Sequence, residues 1–143
     1  MRTFGRQRGH RLRARQALLL DRELPRLRIP PTDPGRCDPK RLFDRPVTEV
    51  WLEIGFGAGE HLVWQATHNP DIGFLAAEPY VNGVAKLLAA IEDHELGNIR
   101  VHDDDARDLL EWLAPASLGR VFILFPDCLL YTSDAADEDC LVW

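Results

Sequence analysis

The chain is poor in cysteine and in long apolar runs, and each shortage excludes a class of protein. The three cysteines among 143 residues are odd in number and show no CxxC spacing, so the sequence indicates neither a zinc site nor a disulfide framework. No apolar run reaches the roughly 18 residues that a membrane-spanning helix needs. The arginine-rich N-terminus lacks the apolar core and cleavage site of a secretory signal. We therefore expect a cytoplasmic protein without a metal site.

Arginine, by contrast, is plentiful and unevenly distributed. Residues 1–28 contain nine arginines and two acidic residues, whereas the rest of the chain has eight basic and 21 acidic residues. A basic arm on an acidic body is typical of proteins that contact nucleic acid phosphates, with an affinity that falls as salt rises. A solvated basic tail without a partner is the alternative that composition leaves open.

The length allows one domain, and proline marks where it begins. Six of the ten prolines fall between Pro25 and Pro46, which predicts an extended, irregular connector. We expect Pro25 to end a short helix that begins near residue 14. The predicted parts are a basic arm with a short helix (1–24), the connector (25–46), an α/β domain (47–127) and a tail (128–143).

Strands and helices alternate from residue 47 onward. Short apolar runs predict strands over 50–54, 72–77, 99–102 and 120–125. Helical spacing predicts helices over 60–68, from Val81 to Ile91 with Gly97 as terminator, and over 106–113. Repeated strand–helix units with short connections predict an α/β fold with a parallel sheet. Residues 128–143 show neither the helical nor the strand periodicity of apolar residues and do not fit a further strand–helix unit.

The stretch WLEIGFGAGEHL, residues 51–62, places three glycines directly after the first strand. Gly55, Gly57 and Gly59 follow a GxGxG spacing that differs from the GxGxxG of dinucleotide sites. The negative charges of Glu53 and Glu60 flank the turn and disfavour a phosphate at the helix N-terminus. A cationic, phosphate-free ligand such as S-adenosylmethionine fits this pattern, and a plain tight turn is the structural alternative.

An acidic residue follows or ends each of the four predicted strands: Glu53, Glu78, Asp105 and Asp127. Ligands of open parallel sheets bind beyond these strand ends. Glu78 suits the ribose hydroxyls of an adenosine, while Asp105 and the Ala106 amide suit the adenine ring. Helix capping remains an alternative for Glu78 and Asp105, and a turn for Asp127. Asp103 and Asp104 compete with Asp105, which we favour because an apolar helix begins directly after it.

These residues together resemble the bacterial tRNA (guanine-N7)-methyltransferases. The resemblance runs through FGRQRG, RQALLLDRELPRL, EVWLEIGFGAGEHL, EPYVNGVAKLL, DDDARDLL and FILFPD, from residue 4 to residue 127. It implies a Rossmann-like class I methyltransferase fold, S-adenosylmethionine as cofactor, and a guanosine in the variable loop of tRNA as substrate. By position it implies that Glu53, Glu78 and Asp105 are the cofactor carboxylates and that Asp127 belongs to both the cofactor site and the catalytic centre. With the residues argued above, the predicted cofactor-binding set is Glu53, Gly55, Gly57, Gly59, Glu78, Asp105, Ala106 and Asp127, of which Asp127 is also the catalytic residue.

The sequence departs from this family after Asp127. The family continues from FPD with PWPK and a basic segment, whereas this chain reads FPDCLLYTSDAADEDCLVW. We therefore expect an N-terminal fragment, truncated after the fourth strand and ended by residues foreign to the family. Such a fragment is expected to bind cofactor weakly or not at all and to methylate no tRNA.

Two other functions share part of the pattern. A small-molecule methyltransferase needs the same cofactor residues but not the arginine arm. A nucleotide-binding Rossmann module without methyltransferase activity is predicted to bind NAD, and the glycine spacing with Glu53 and Glu60 speaks against it.

Overall fold

The computed structural model describes residues 12–124 and 141–142 and shows one sheet with helices on both faces. The helices are α1 (Ala14–Arg22), α2 (Leu24–Leu27), α3 (Glu60–His68), α4 (Val81–His94) and α5 (Ala106–Trp112). A 3₁₀ helix spans Pro39–Leu42. The strands are β1 (Glu49–Ile54), β2 (Ile72–Ala77), β3 (Ile99–His102), β4 (Arg120–Ile123) and β5 (Leu141–Val142). The bounds predicted for α3, β2 and β3 are confirmed.

The sheet has the strand order β3-β2-β1-β4-β5. Strands β1 to β4 are parallel, as predicted, and β5 pairs antiparallel with β4. The chain builds outward from β1 to β3 and then crosses to the other side of β1 to form β4. This reversal creates a topological switch point between β1 and β4, where open parallel sheets bind ligands. The two-residue β5 lies in the tail, where the sequence predicts no strand.

The core has two halves because successive strand residues point to opposite faces of the sheet. Trp51, Phe74 and Phe122 belong to the half that includes side chains of α1, α3 and α4. Leu52 and Leu75 belong to the half that includes side chains of α5 and of the segment before β1. Both faces of the central strands are therefore covered, which explains their continuous apolar sequence. Within the described residues, the helices are all too short or too polar to cross a membrane.

The segment before the domain is more ordered than the sequence predicts. It contains α2 and the 3₁₀ helix, and two of its residues pair with the domain. The Ile29 amide donates to the Val101 carbonyl at 2.9 Å, and the Cys37 amide donates to the Trp112 carbonyl at 2.8 Å. Both Ile29 and Cys37 are buried. Apolar residues between the prolines thus fix this segment against the sheet and α5.

Three predicted helix ends are wrong. The first helix ends at Arg22, and Pro25 lies in the first turn of α2, where its missing N–H group is not needed. Helix α4 ends at His94 rather than near Gly97, because Glu95 adopts the left-handed conformation with φ of 52°. The Leu96 amide then donates to the Ile91 carbonyl at 3.0 Å, which closes the helix before the glycine is reached. Helix α5 ends at Trp112, one residue early. The predicted fourth strand is too long, because β4 ends at Ile123 and Leu124 lies beyond it, while Phe125 lies outside the described residues.

Candidate cofactor site

The glycine stretch forms a turn that only glycine adopts readily. Gly55, Gly57 and Gly59 have φ angles of 74°, 63° and 90°, all in the left-handed region that penalises a Cβ. Gly59 is the N-cap of α3, and the Gly55 amide donates to the Ala77 carbonyl at the end of β2. The turn thus lies at the carboxyl ends of β1 and β2, where the sequence predicted it.

Helix α4 approaches this turn more closely than a side chain would allow. A Cβ on Gly83 would lie 2.2 Å from the Gly57 carbonyl oxygen, and a Cβ on Gly59 would lie 2.9 Å from Leu87 Cδ1. Gly83 is therefore needed for the packing of α4 against the glycine turn. Sequence reasoning missed it, although a glycine on the apolar face of a predicted helix is a signal of close backbone approach.

Glu78 joins the glycine turn to the start of α4. Its Oε1 accepts a hydrogen bond from the Gly57 amide at 2.9 Å, and its Oε2 accepts one from the Tyr80 amide at 3.2 Å. The N-cap alternative for Glu78 is wrong, because Tyr80 is the N-cap residue of α4 and Glu78 accepts from the amide of that residue. A carboxylate has about four acceptor positions, and two of them remain for a ligand.

Glu53 is the most deeply buried of the predicted acids that the structure describes, with 1% of its surface exposed. Its Oε1 lies 2.7 Å from Nδ1 of His61, and its Oε2 is buried without a hydrogen-bond partner among the described residues. Burial raises the pKa of Glu53, and the hydrogen bond from His61 offsets part of that rise. An enclosed acceptor without a donor costs about 1–3 kcal/mol, so a ligand that donates to Oε2 is favoured.

The three aspartates after β3 have separate roles. Asp105 is buried and caps α5: its Oδ1 accepts from the Arg107 amide at 2.9 Å, and the Arg107 guanidinium also holds it. Asp103 pairs with Arg28, and exposed Asp104 accepts from the Asp105 amide. The N-cap alternative for Asp105 is thus present in the structure. Ala106 begins α5 and is half-buried.

The remaining predictions are placed as follows. Glu60 is the exposed first residue of α3, and its charge lies at the helix N-terminus. Asp127 lies outside the described residues. Among the described residues, no group of three or more His, Cys, Asp or Glu is arranged to hold a metal ion.

His61 was missed by sequence reasoning, since nothing in its spacing shows that it faces Glu53.

A parallel sheet with a glycine turn and acids at the carboxyl ends of its strands defines a Rossmann-like protein. A family described as "Putative methyltransferase" matches residues 47–129, more than half of the chain. The chain belongs to this family and has its α/β, class I methyltransferase fold, as the sequence predicted.

Particular relatives match more of the chain. It is 52% identical over 124 residues to tRNA (guanine-N(7)-)-methyltransferase of Nitrobacter hamburgensis, covering 87% of this chain and 49% of the relative. The enzyme of the same name from Chelativorans sp. is 45% identical, with 87% and 53% covered. The chain thus spans about half the length of these curated relatives. A solved structure of an antibiotic-related methyltransferase covers 66% of this chain and 49% of its own, at 17% identity and a TM-score of 0.46.

Proposed function

We propose that this chain supplies the cofactor-binding half of an enzyme that transfers a methyl group from S-adenosylmethionine to guanine N7 in the variable loop of tRNA. The names of the relatives above give methylation of guanine N7 in tRNA. Since the chain spans about half their length, the proposal concerns the whole enzyme and its cytoplasmic tRNA substrate.

One observation carries the choice of cofactor: the Gly57 amide donates to the carboxylate of Glu78 at 2.9 Å. In a dinucleotide site the amides of the glycine turn face a pyrophosphate. Here a carboxylate takes such an amide, and exposed Glu60 adds negative charge at the N-terminus of α3. This arrangement supports a ligand without phosphate, and S-adenosylmethionine combines an adenosine with two positive charges.

Each of the described acids is assigned to a different part of the cofactor. Under this proposal Glu78 accepts the ribose hydroxyls, and Asp105 with the Ala106 amide holds the adenine edge. Glu53, whose Oε2 has no partner among the described residues, takes the ammonium end. The glycines let the backbone approach the ligand without a Cβ in the way. The ribose hydroxyls, the adenine amino group and the ammonium group of the cofactor are thus each assigned a carboxylate acceptor.

Methyl transfer to guanine N7 requires little acid–base catalysis by the protein. When bound, S-adenosylmethionine supplies a methyl group on a positively charged sulfur; the N7–carbon bond forms as the sulfur–carbon bond breaks. N7 has a free lone pair and no proton to lose, so alignment of the two reactants provides most of the rate enhancement. The methylated base gains positive charge, and we assign its stabilisation to the carboxylate of Asp127.

A small-molecule methyltransferase is the second candidate, and one observation favours it. Three arginines that the sequence offered for tRNA phosphates are paired with acids of the domain: Arg15 and Arg22 with Glu92, and Arg28 with Asp103. These side chains have partners without any RNA. The tRNA proposal therefore depends on the arginines of residues 1–13.

The decisive experiment uses a hybrid enzyme. Residues 1–127 of this chain are joined to the part of the Nitrobacter hamburgensis relative that lies beyond its matched region. The hybrid is incubated with tritiated S-adenosylmethionine and tRNA transcripts, and methylated guanines are mapped by reductive chain cleavage. Control transcripts made with 7-deazaguanosine carry carbon at position 7 and have no lone pair to methylate. Labelling of the control, or of small molecules but no tRNA, overturns the proposal.

A further inference from the structure

His61 is a residue that the proposed reaction does not use, although it lies beside the buried acid of the site. It is in the first turn of α3, directly after the glycine turn, and its side chain is 41% exposed. Its Nδ1 lies 2.7 Å from Oε1 of Glu53. The ring also packs edge-on against Phe122 of β4, with centroids 5.3 Å apart. His61 therefore bridges the two strands that flank the switch point.

The hydrogen bonds around His61 define which nitrogen carries the proton. Nε2 of His61 lies 3.3 Å from Nε2 of Gln65, one turn further along α3. An amide nitrogen only donates, so His61 Nε2 accepts and Nδ1 carries the hydrogen. Nδ1–H then donates to Glu53. Phe122 and Gln65 thus hold the ring in the orientation that directs its donor at the carboxylate.

This arrangement gives Oε1 of Glu53 a hydrogen-bond donor and leaves Oε2 without one among the described residues. Oε2 is enclosed and has no hydrogen-bond partner among the described residues. The register neighbours of Glu53, Ala76 on β2 and Phe122 on β4, have neither charge nor a polar side chain. Among the described residues, His61 is the group whose hydrogen bond acts on the Glu53 carboxyl. Glu53 thus keeps one acceptor uncommitted.

We propose that His61 is a positioning residue whose Nδ1–H fixes Oε1 of Glu53, so that Oε2 accepts a hydrogen bond from the α-ammonium group of the cofactor's amino acid end. This inference deepens the proposed function and rests on its choice of cofactor. His61 acts through Glu53 and touches neither the methyl group nor the base.

The pair has a measurable consequence without any ligand. Burial raises the pKa of Glu53, and His61 opposes that rise. Removal of the imidazole leaves burial unopposed, so Glu53 is expected to bind its proton at higher pH. A protonated Glu53 offers no negative charge to an ammonium group. Loss of His61 therefore weakens ligands that carry the ammonium group and spares those that lack it.

The test compares two variants of the 143-residue chain. His61→Ala removes the donor, whereas His61→Asn places an amide nitrogen at the position of Nδ1 and keeps it. Carbon-13 NMR of labelled glutamate measures the titration midpoint of Glu53. NMR titration then measures affinity for S-adenosylhomocysteine and for 5′-methylthioadenosine, which shares the adenosine and sulfur but lacks the amino acid. NMR also detects weak binding.

We expect the Glu53 midpoint to rise in His61→Ala. The same variant is expected to bind S-adenosylhomocysteine about tenfold more weakly, the effect of one hydrogen bond to a charged group, and methylthioadenosine within about twofold of the original chain. His61→Asn restores most of the lost affinity, which a general loss of packing at position 61 does not predict.

An unchanged Glu53 midpoint in His61→Ala overturns the inference, and so does an equal loss of affinity for both nucleosides. If the 143-residue chain binds neither nucleoside, as expected of such a fragment, the affinities are measured with the same variants in the hybrid enzyme. Failure of the unsubstituted hybrid to bind either nucleoside overturns the cofactor assignment and the ammonium contact with it. In that case the Glu53 titration still decides whether His61 controls the charge of this acid. The failure of the proposed function and the failure of the His61–Glu53 pairing are thus distinguishable.

Discussion

Arg28 and Asp103 form a two-pronged ion pair that joins the segment before the domain to the loop carrying Asp105. Nε and one terminal nitrogen of Arg28 each lie 2.9 Å from a different oxygen of Asp103. The next residue, Ile29, pairs with Val101 of β3 through its backbone. The arginine-rich N-terminal segment is therefore attached to the side of the sheet where the adenine is proposed to bind.

Arg28→Ala is expected to destabilise the chain by about 1 kcal/mol at neutral pH, the upper range for a partly exposed pair with ideal geometry. Burial by itself raises the pKa of Asp103, but the hydrogen bonds and charge of Arg28 outweigh it and the net direction is down. Stability from a lowered acid pKa is present above the unfolded value and disappears as pH falls through the folded one. Urea denaturation at neutral and acidic pH measures this difference.

The matched control is the charge-swapped double variant Arg28→Asp with Asp103→Arg, which is expected to recover part of the loss. A stability difference that persists undiminished at a pH where Asp103 is protonated contradicts the ion-pair explanation.

Gly83→Ala is expected to destabilise the chain by about 2 kcal/mol, because overpacking against backbone forces the helix or the turn to move. The new Cβ would lie 2.2 Å from the Gly57 carbonyl oxygen. Gly97→Ala is the control, since a Cβ there has nothing within 4 Å. Urea unfolding gives the free energies, and NMR shifts of the Gly57 amide report displacement of the turn. A Gly83→Ala chain as stable as the control contradicts the close packing of α4.

Glu53→Gln is expected to make the chain more stable at neutral pH, on the order of 1 kcal/mol, because a buried charge is replaced by a neutral amide. A raised pKa means that the folded state favours the protonated acid. The original chain therefore loses stability as pH rises from the ordinary glutamate value of about 4.3 through the folded pKa. Thermal unfolding measured between pH 4 and 8 tests this trend.

The advantage of Glu53→Gln must shrink as pH falls through the ordinary glutamate value of about 4.3, because below it the glutamate becomes protonated in both states. A variant less stable than the original at neutral pH shows that Glu53 is structurally favourable as an anion. A gain in stability with loss of cofactor binding indicates an acid kept for function.

Deletion of residues 1–13 is expected to reduce tRNA affinity and the steepness of its salt dependence. Each lost phosphate contact lowers the slope of log affinity against log salt by about 0.9. The control is Arg15→Ala with Arg22→Ala, because those guanidinium groups are engaged by Glu92. Fluorescence anisotropy with labelled tRNA at several salt concentrations gives the slopes for the hybrid enzyme. Equal slopes with and without the arm favour the small-molecule alternative.

Asp127→Ala in the hybrid enzyme is expected to reduce methyl transfer by at least about a hundredfold, the usual effect of removing one electrostatic contact to the developing charge. Its affinity for S-adenosylmethionine should fall far less. Initial rates of tritium transfer and calorimetric titration separate the two effects, with Asp127→Asn as the isosteric control. Near-normal turnover in Asp127→Ala excludes this residue from catalysis.

Local sequence patterns predicted the regular elements well. The bounds of α3, β2 and β3 agree residue for residue, because buried strands and glycine turns leave short-range signatures. The helix end at Glu95 was missed, since a hydrogen bond to Ile91 rather than a glycine closes α4. The packing of the segment before β1 was missed too. Its many prolines indicated an irregular connector, although Ile29 and Cys37 between them are buried against the domain.

The sequence by itself determined the glycine turn, the strand-end acids and the family, since these depend on residue types at short spacing. Only the tertiary structure decided which groups meet. Glu53 and His61, Gly57 and Gly83, and Arg28 and Asp103 are separated by 8, 26 and 75 positions. Their contacts depend on the strand order and on how α3, α4 and the N-terminal segment pack against the sheet. No local period encodes such distances, because they result from burial of the whole core.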